Sequence, residues 1–177
     1  MQEIADAAEV SKMTVFNYFG SKEDLVFRPV EDHFGDAARA VRERRPEESP
    51  WEAVRRQLLE MVEARDPAVG LNDDPIARQV RELVMRTPVL MERAFLAAQK
   101  KGTRDLAALL AEETGDTMAA TVAAAMLSAA RNAVIEEHHR RIDAGESADT
   151  VAADAPGRAE RAFALVEHGL GDYARKA

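Results

Sequence analysis

The sequence predicts an all-α fold, and three observations lead to this prediction. Alternation of β-branched and aromatic residues, the mark of strands, is almost absent. Alanine is abundant, and helix-capping signals recur along the chain. With 46% hydrophobic and 32% charged residues, the 177-residue chain has the composition of a folded protein, and its length suits one domain or a small module joined to a larger one.

Serine caps, prolines and glycines set the predicted helix boundaries. Residues 49–52 (Ser-Pro-Trp-Glu) have the form of a capping box with a first-turn proline. Ser21 precedes an acidic third helical position, while Gly115 and Gly145 are placed as C-terminal stops. These signals predict helices at 2–8, 12–19, 22–44, 50–65, 75–85, 88–112, 117–143 and 156–174. The stretch 144–155 is predicted as a loop or a single helical turn.

The first two helices form the most informative segment, because a tight turn at 9–11 joins them. Five apolar side chains are spaced to face a shared core: Ile4, Ala8, Val10, Val15 and Phe19. Ala5 is small where the helices cross, and Ser11 can cap the second helix. That helix then exposes Lys12, Met13, Thr14, Phe16, Asn17 and Tyr18. Such a pair is typical of a helix-turn-helix that enters the major groove, although the same apolar pattern also fits plain helical core.

This segment resembles the DNA-binding signature of the TetR family of transcriptional regulators. The shared elements are Ile4-Ala5 with Ala8, Val10-Ser11, the block 14–19, and Lys22 with Leu25. The resemblance implies that Thr14 and Tyr18 contact backbone phosphates. It also implies that Lys22 binds a phosphate at the first turn of the following helix.

The resemblance further implies that Lys12, Met13, Phe16 and Asn17 face the base edges of double-stranded DNA. Asn17 is the expected hydrogen-bonding reader, and Met13 or Phe16 is suited to a thymine methyl group. Two features depart from the family pattern. Glu9 occupies the turn position where glycine is usual, at a cost of about 1 kcal/mol if that residue is left-handed. Family members also have a helix before the position of Ile4, so the first helix of the domain is apparently missing.

Two domains are expected from this organisation. Residues 1–45 form the helix-turn-helix domain with its connecting helix, which begins at Ser21 and joins the modules directly. Residues 46–177 form an antiparallel helical bundle for ligand binding and dimerisation. The resemblance implies a repressor that a small-molecule effector releases from a palindromic operator, because the ligand favours a dimer whose reading helices are too far apart.

A ligand pocket is expected among the middle helices, where methionines and aromatic residues make adaptable apolar walls. Its candidate residues are Trp51, Leu58, Met61, Val62, Leu83, Met85, Met91, Phe95 and Met126. Few charges interrupt this set, which predicts an apolar or amphipathic effector. Ordinary core packing is the alternative for each residue.

The helices at 117–143 and 156–174 have apolar stripes at three- and four-residue spacing. The resemblance implies that they form a four-helix homodimer interface; a core stripe within one chain is the alternative. The expected interface residues are Val122, Met126, Ala129, Ala133, Ala159, Phe163, Val166 and Leu170. A dimer also fits a palindromic operator, whose half-sites lie about 34–36 Å apart.

The overall charge does not favour nucleic acid, since the net charge is −8 and the pI about 5.1. Residues 1–28 are themselves acidic, which counts against tight non-specific DNA binding. The alternative function is therefore a helical small-molecule-binding dimer that has lost DNA binding. An enzyme ranks third, because the sequence has no phosphate loop, nucleophile elbow or zinc-protease motif.

No metal or cofactor is expected either. The histidines are His33, His138, His139 and His168, and the adjacent pair points about 100° apart on a helix, which prevents a shared metal. The chain has no cysteine, which suits a reducing cytoplasm. No signal peptide is evident, and no apolar run of the roughly 18 residues needed for a membrane span was found. A cytoplasmic protein without a membrane partner is the resulting expectation.

Overall fold

The structure, a computed structural model, describes residues 1–26, 35–71, 74–97 and 102–169. Its helices are α1 (Gln2–Ala7), α2 (Lys12–Phe19), α3 (Asp36–Arg42), α4 (Pro50–Glu63), α5 (Pro75–Arg86), α6 (Pro88–Ala97), α7 (Asp105–Thr114), α8 (Thr117–Asp143) and α9 (Ala148–His168). A 3-10 turn covers Pro67–Val69, and no strand occurs in the described ranges. The all-α prediction is confirmed.

Two long predicted helices fall partly outside the described residues. Within the predicted helix 22–44, the structure has a helical turn at 24–26 and then α3, while residues 27–34 lie outside the description. His33 falls in that stretch. The predicted helix 88–112 corresponds to α6 and α7, with 98–101 outside the description and a π-type turn at 102–104. The continuity of both helices stays a prediction.

The start of the last helix was predicted wrongly. α9 begins at Ala148 rather than at 156, because the Ser147 hydroxyl accepts a hydrogen bond from the Thr150 amide at 3.2 Å and caps the helix there. Pro156 lies inside the helix rather than in its first turn. The proline signal was therefore given too much weight, and residues 148–155 are two turns of α9 instead of a loop or a single helical turn.

The other predicted caps are confirmed. At the start of α4 the Ser49 hydroxyl accepts from the Glu52 amide at 3.4 Å, and the Glu52 carboxylate accepts from the Ser49 amide at 2.8 Å. Gly115 and Gly145 end α7 and α8 with φ values of 73° and 94°.

The core of the body surrounds α8, which packs against α7 and α9, while α4 packs against α3, α8 and α9. Its completely buried side chains include Val41, Val54, Leu58, Leu106, Val151 and Phe163. The apolarity of α8 corrects the expectation that no apolar run of the chain reaches the length of a membrane span. The 27 residues of this helix are long and apolar enough to cross a membrane by length and composition alone, but one such helix is only weak evidence for a membrane span.

Candidate nucleic-acid interface

The turn between α1 and α2 is a Schellman motif. The Val10 amide donates to the Ala5 carbonyl at 3.0 Å, and the Glu9 amide donates to the Asp6 carbonyl at 3.2 Å. Glu9 occupies the left-handed position of this motif, with a φ of 55°. The left-handed position is therefore occupied by a glutamate with a strained backbone, where glycine is usual, as expected from the sequence.

Ser11 fixes the start of α2, as its sequence position predicts. Its backbone is extended, and its hydroxyl accepts from the Thr14 amide at 3.0 Å. The hydroxyls of Ser11 and Thr14 are also 2.8 Å apart, so they form a further hydrogen bond. Thr14 is half-buried at the first turn of the helix.

The two helices meet through a smaller core than predicted. Ala5 and Val15 are buried, and Phe19 is half-buried. Ile4 and Val10 are 40% and 42% exposed, and Ala8 is also exposed, so the prediction that these three side chains face the shared core is wrong. Two short helices have too little mutual surface to cover five apolar side chains.

The remaining face of α2 is open to solvent. Met13 and Tyr18 are 68% and 67% exposed, and the other exposed side chains are those of Lys12, Phe16 and Asn17. The Lys12 ammonium lies 5.9 Å from the centre of the Phe16 ring, within the range of a cation–π contact. This face combines cationic, amide and aromatic groups, the kinds that contact phosphates and base edges.

A second capping box follows α2. The Asp24 carboxylate accepts from the Ser21 amide at 2.9 Å, and the Ser21 hydroxyl accepts from the Asp24 amide at 3.2 Å. Lys22 lies between them with its side chain 72% exposed and its ammonium 3.9 Å from the Glu23 carboxylate. This arrangement leaves Lys22 available at the start of the next helical turn, beside backbone amides that suit an anion.

Sequence reasoning missed an ion pair that links this module to the body. Arg93 on α6 lies 2.5 Å from the other Asp24 carboxylate oxygen. Hydrogen bonds from Arg93 and then from Ser21 hold the pKa of Asp24 below its ordinary value. No local signal marks a pair so distant in sequence. The contact joins α6 to the capped segment directly after α2.

A capped pair of short helices with an exposed polar and aromatic reading face defines a helix-turn-helix DNA-binding module. The family model described as "Bacterial regulatory proteins, tetR family" matches residues 1–28 of the 177. This match confirms the resemblance and supports a TetR-family regulator that binds DNA and controls transcription. No curated protein and no solved structure matches the chain significantly.

The structure disperses the candidate pocket residues. Leu58, Met61 and Val62 are buried in the core; Trp51 and Met126 are half-buried. Three others, Leu83, Met85 and Met91, are 51%, 58% and 37% exposed, so they do not line an enclosed pocket in this conformation. Their helices, α5 and α6, pack mainly against each other, and the assignment of these residues to a pocket stays a prediction. The side chain of Phe95 lies outside the description.

Two clefts border α4. One, of about 550 Å³, is lined mostly by charged side chains between Arg45 and Glu63. The other, of about 480 Å³, lies between α4 and α9, and Val62 contributes to it with Leu59, Ala152 and Pro156. The candidate residue Val62 thus borders this second cleft.

The candidate dimer residues divide into two groups. Ala159 and Phe163 are completely buried on the inner face of α9 and belong to the core of their own subunit, which corrects their assignment to a dimer surface. Val122 is 51% exposed, and Ala129 and Ala133 on the same helix are exposed too. The half-buried candidates are Met126 and Val166. Leu170 lies outside the described residues.

Proposed function

We propose that this chain is a ligand-responsive transcriptional regulator, a repressor that a small molecule releases from its operator. The observation that carries the proposal is the exposed face of α2, held by the Ser11 cap and braced by α1 within the segment that matches the family. Asn17 reads base edges there, while Thr14, Tyr18 and Lys22 bind phosphates. TetR-family regulators are generally not enzymes, and this chain acts by binding.

The proposed regulator is a homodimer. Met118, Val122, Ala125, Ala129 and Ala133 follow one another at three- and four-residue spacing on the exposed side of α8. A second copy of the same face would cover them, and their mostly small side chains permit close helix approach. This arrangement also accounts for the apolarity of α8 in a cytoplasmic protein.

Effector binding in the body, residues 46–177, would reach the reading domain, residues 1–45, through α6. The Asp24–Arg93 ion pair ties α6 to the segment after α2, so a displacement of α6 changes the position of the reading helix. The free energy by which the effector weakens DNA binding can be no larger than the difference in its binding free energy between the two dimer states.

Fluorescence anisotropy with DNA flanking the protein's own gene tests the DNA-binding proposal. We expect specific binding that weakens steeply with salt. Asn17→Ala should weaken specific binding by about 1–3 kcal/mol and leave random duplex unaffected, because a base contact is lost. Lys22→Gln should weaken both kinds of DNA and reduce the salt slope by about 1. Glu112→Gln, an exposed change on α7, is the control.

Sedimentation velocity tests the dimer. Val122→Glu should give monomers, because it buries a charge in the proposed interface, whereas Ala108→Glu on the exposed side of α7 should leave the dimer intact. A dimer that binds small molecules but does not distinguish any DNA from random duplex would contradict the regulator proposal. It would instead favour a ligand-binding dimer that has lost DNA binding, as the acidity of residues 1–28 allows.

A further inference from the structure

Polar side chains meet inside the apolar body between α3, α4 and α8. Asp36 is 1% exposed, and the side chain of Arg131 is 12% exposed. Three buried atoms of this region have no hydrogen-bond partner within the described part of the chain: Gln57 Oε1, Ser128 Oγ and Arg131 Nε. Native proteins pair almost all buried polar atoms, since each unpaired one costs about 1–3 kcal/mol. These three atoms therefore require an explanation.

The side chains that carry these atoms are on neighbouring elements, α4 and α8. Met61 lies between two of the side chains, since its sulfur is 2.7 Å from Gln57 Nε2 and 4.0 Å from Arg131 Nη2. Ser128 precedes Arg131 by one helical turn on α8, which places both side chains on one face. The Gln57 amide and the Arg131 guanidinium thus approach the same sulfur atom, and Ser128 lies one turn before Arg131 on α8.

Arg131 is the unusual member of this site. Its Nη2 atom lies 3.9 Å from the Asp36 carboxylate, beyond hydrogen-bond distance, and Asp36 is hydrogen-bonded to Arg39 as well. Burial lowers the pKa of Arg131, and the charges of Asp36 and Asp66 offset this only in part. A buried guanidinium is ordinarily paired in a fork with a carboxylate or phosphate. In Arg131 the Nε donor has no such acceptor among the described residues.

We propose that Arg131, Ser128 and Gln57 form the head-group site of the effector, and that the effector is a carboxylic acid with a neighbouring hydroxyl group. This inference rests on the proposed function and narrows the expected apolar or amphipathic molecule to one chemical class. We call these three residues the head-group site.

The hydrogen-bonding capacity of the head-group site specifies this class. Arg131 Nε only donates, so it requires an acceptor, and a carboxylate accepts from two guanidinium nitrogens at once. The Ser128 hydroxyl donates to the same carboxylate. Gln57 Oε1 only accepts, and a hydroxyl on the adjacent carbon of the ligand donates to it. An amine would place a second cation beside Arg131, and a purely apolar molecule would leave all three atoms unpaired.

Isothermal titration of the full chain, without DNA, tests this assignment with a matched series of six-carbon probes. These are 2-hydroxyhexanoate, hexanoate, hexanamide and hexylamine. We expect affinity to fall in that order, with no binding of hexylamine. Arg131→Met should weaken hexanoate binding roughly 10- to 150-fold, the loss of a buried charged hydrogen bond. Arg44→Met, a change to a partly buried arginine whose guanidinium is paired in a fork with Glu113, should leave it unchanged.

Thermal unfolding of the probe-free variants separates a binding role from a structural one. If Arg131 serves the ligand, Arg131→Met should change the Tm by no more than about 4 °C, because the guanidinium has incomplete partners in the free protein. If Arg131 is a structural partner of Asp36, the Tm should fall by roughly 6–20 °C, the cost of an abandoned buried charge. The second result would overturn the assignment, even if hexanoate binding were lost.

The remaining outcomes each decide the matter. Tighter binding of hexanamide or hexylamine than of hexanoate, or no binding of either carboxylate, would overturn the proposed class. If a different molecule then released the protein from DNA, the proposed function would stand without this inference. If hexanoate bound through Arg131 but left DNA binding unchanged, the head-group site would stand and the regulatory role of its ligand would fail.

Discussion

Lowering the pH from 7.5 to 5 should destabilise the body through His139 on α8. This imidazole is half-buried against Gly70, and its pKa is lowered from 6.5 to about 4, first by burial and then by the nearby charge of Arg81. The unfolded chain therefore binds a proton between these values that the folded chain does not bind. Stability is complete above pH 6.5 and is lost as the pH falls towards 4.

The size of this effect follows from proton linkage. With values of 6.5 and about 4, the free energy of unfolding should fall by about 2 kcal/mol between pH 7.5 and 5. His138 acts in the same direction, because its completely buried ring has a pKa lowered mainly by burial. Its Nδ1 atom donates to the Val69 carbonyl at 2.8 Å, since a carbonyl oxygen only accepts.

Urea unfolding followed by circular dichroism at pH 7.5, 6 and 5, at fixed protein concentration, measures this effect. His139→Gln should remove about 2 kcal/mol of the pH dependence, whatever the variant's stability at pH 7.5. His168→Gln is the control, because His168 is exposed at the end of α9. An unchanged pH dependence in His139→Gln would refute the argument that the neutral His139 imidazole is responsible.

Three further substitutions test the local geometry. Glu9→Gly should stabilise the helix-turn-helix by up to about 1 kcal/mol, because φ is 55° at this Schellman position. Amide exchange in α1 and α2 should then be slower, and faster exchange would contradict the strain. Ser49→Ala should lower the free energy of unfolding by about 1 kcal/mol, because the Glu52 amide loses its capping partner. Urea titration measures this difference, and no change would show that the capping box is not stabilising. Gly70→Ala should lower the free energy of unfolding by more than about 1 kcal/mol, because φ is 76° and a Cβ would lie 2.8 Å from the His139 ring. A rise in Tm would contradict that packing.

Features of the protein that depend on near neighbours in the sequence were predictable. The Ser11, Ser21 and Ser49 caps, the left-handed turn at Glu9 and the exposed face of α2 follow from residues within one or two helical turns. Each such interaction closes a short loop, so the local pattern largely determines it. The start of α9 shows the limit, since a serine cap and a proline gave competing signals there.

Features that depend on distant residues were not predictable. Periodicity showed that α9 is amphipathic, but it did not show that Phe163 faces the core of its own subunit. The same limit applies to α5 and α6, where periodicity did not show that Leu83, Met85 and Met91 are exposed. The Asp24–Arg93 ion pair and the approach of Arg131 to Gln57 connect different helices, so only the tertiary arrangement reveals them.

Selection of binding sites from a pool of random duplexes tests the central claim, that α2 reads DNA, most directly. The account predicts a palindromic consensus whose half-sites are centred about 34–36 Å apart or a multiple of this distance. It also predicts that Asn17→Ala relaxes the preference at one base pair of each half-site. Selection of no sequence by a folded, dimeric wild-type protein would contradict the claim.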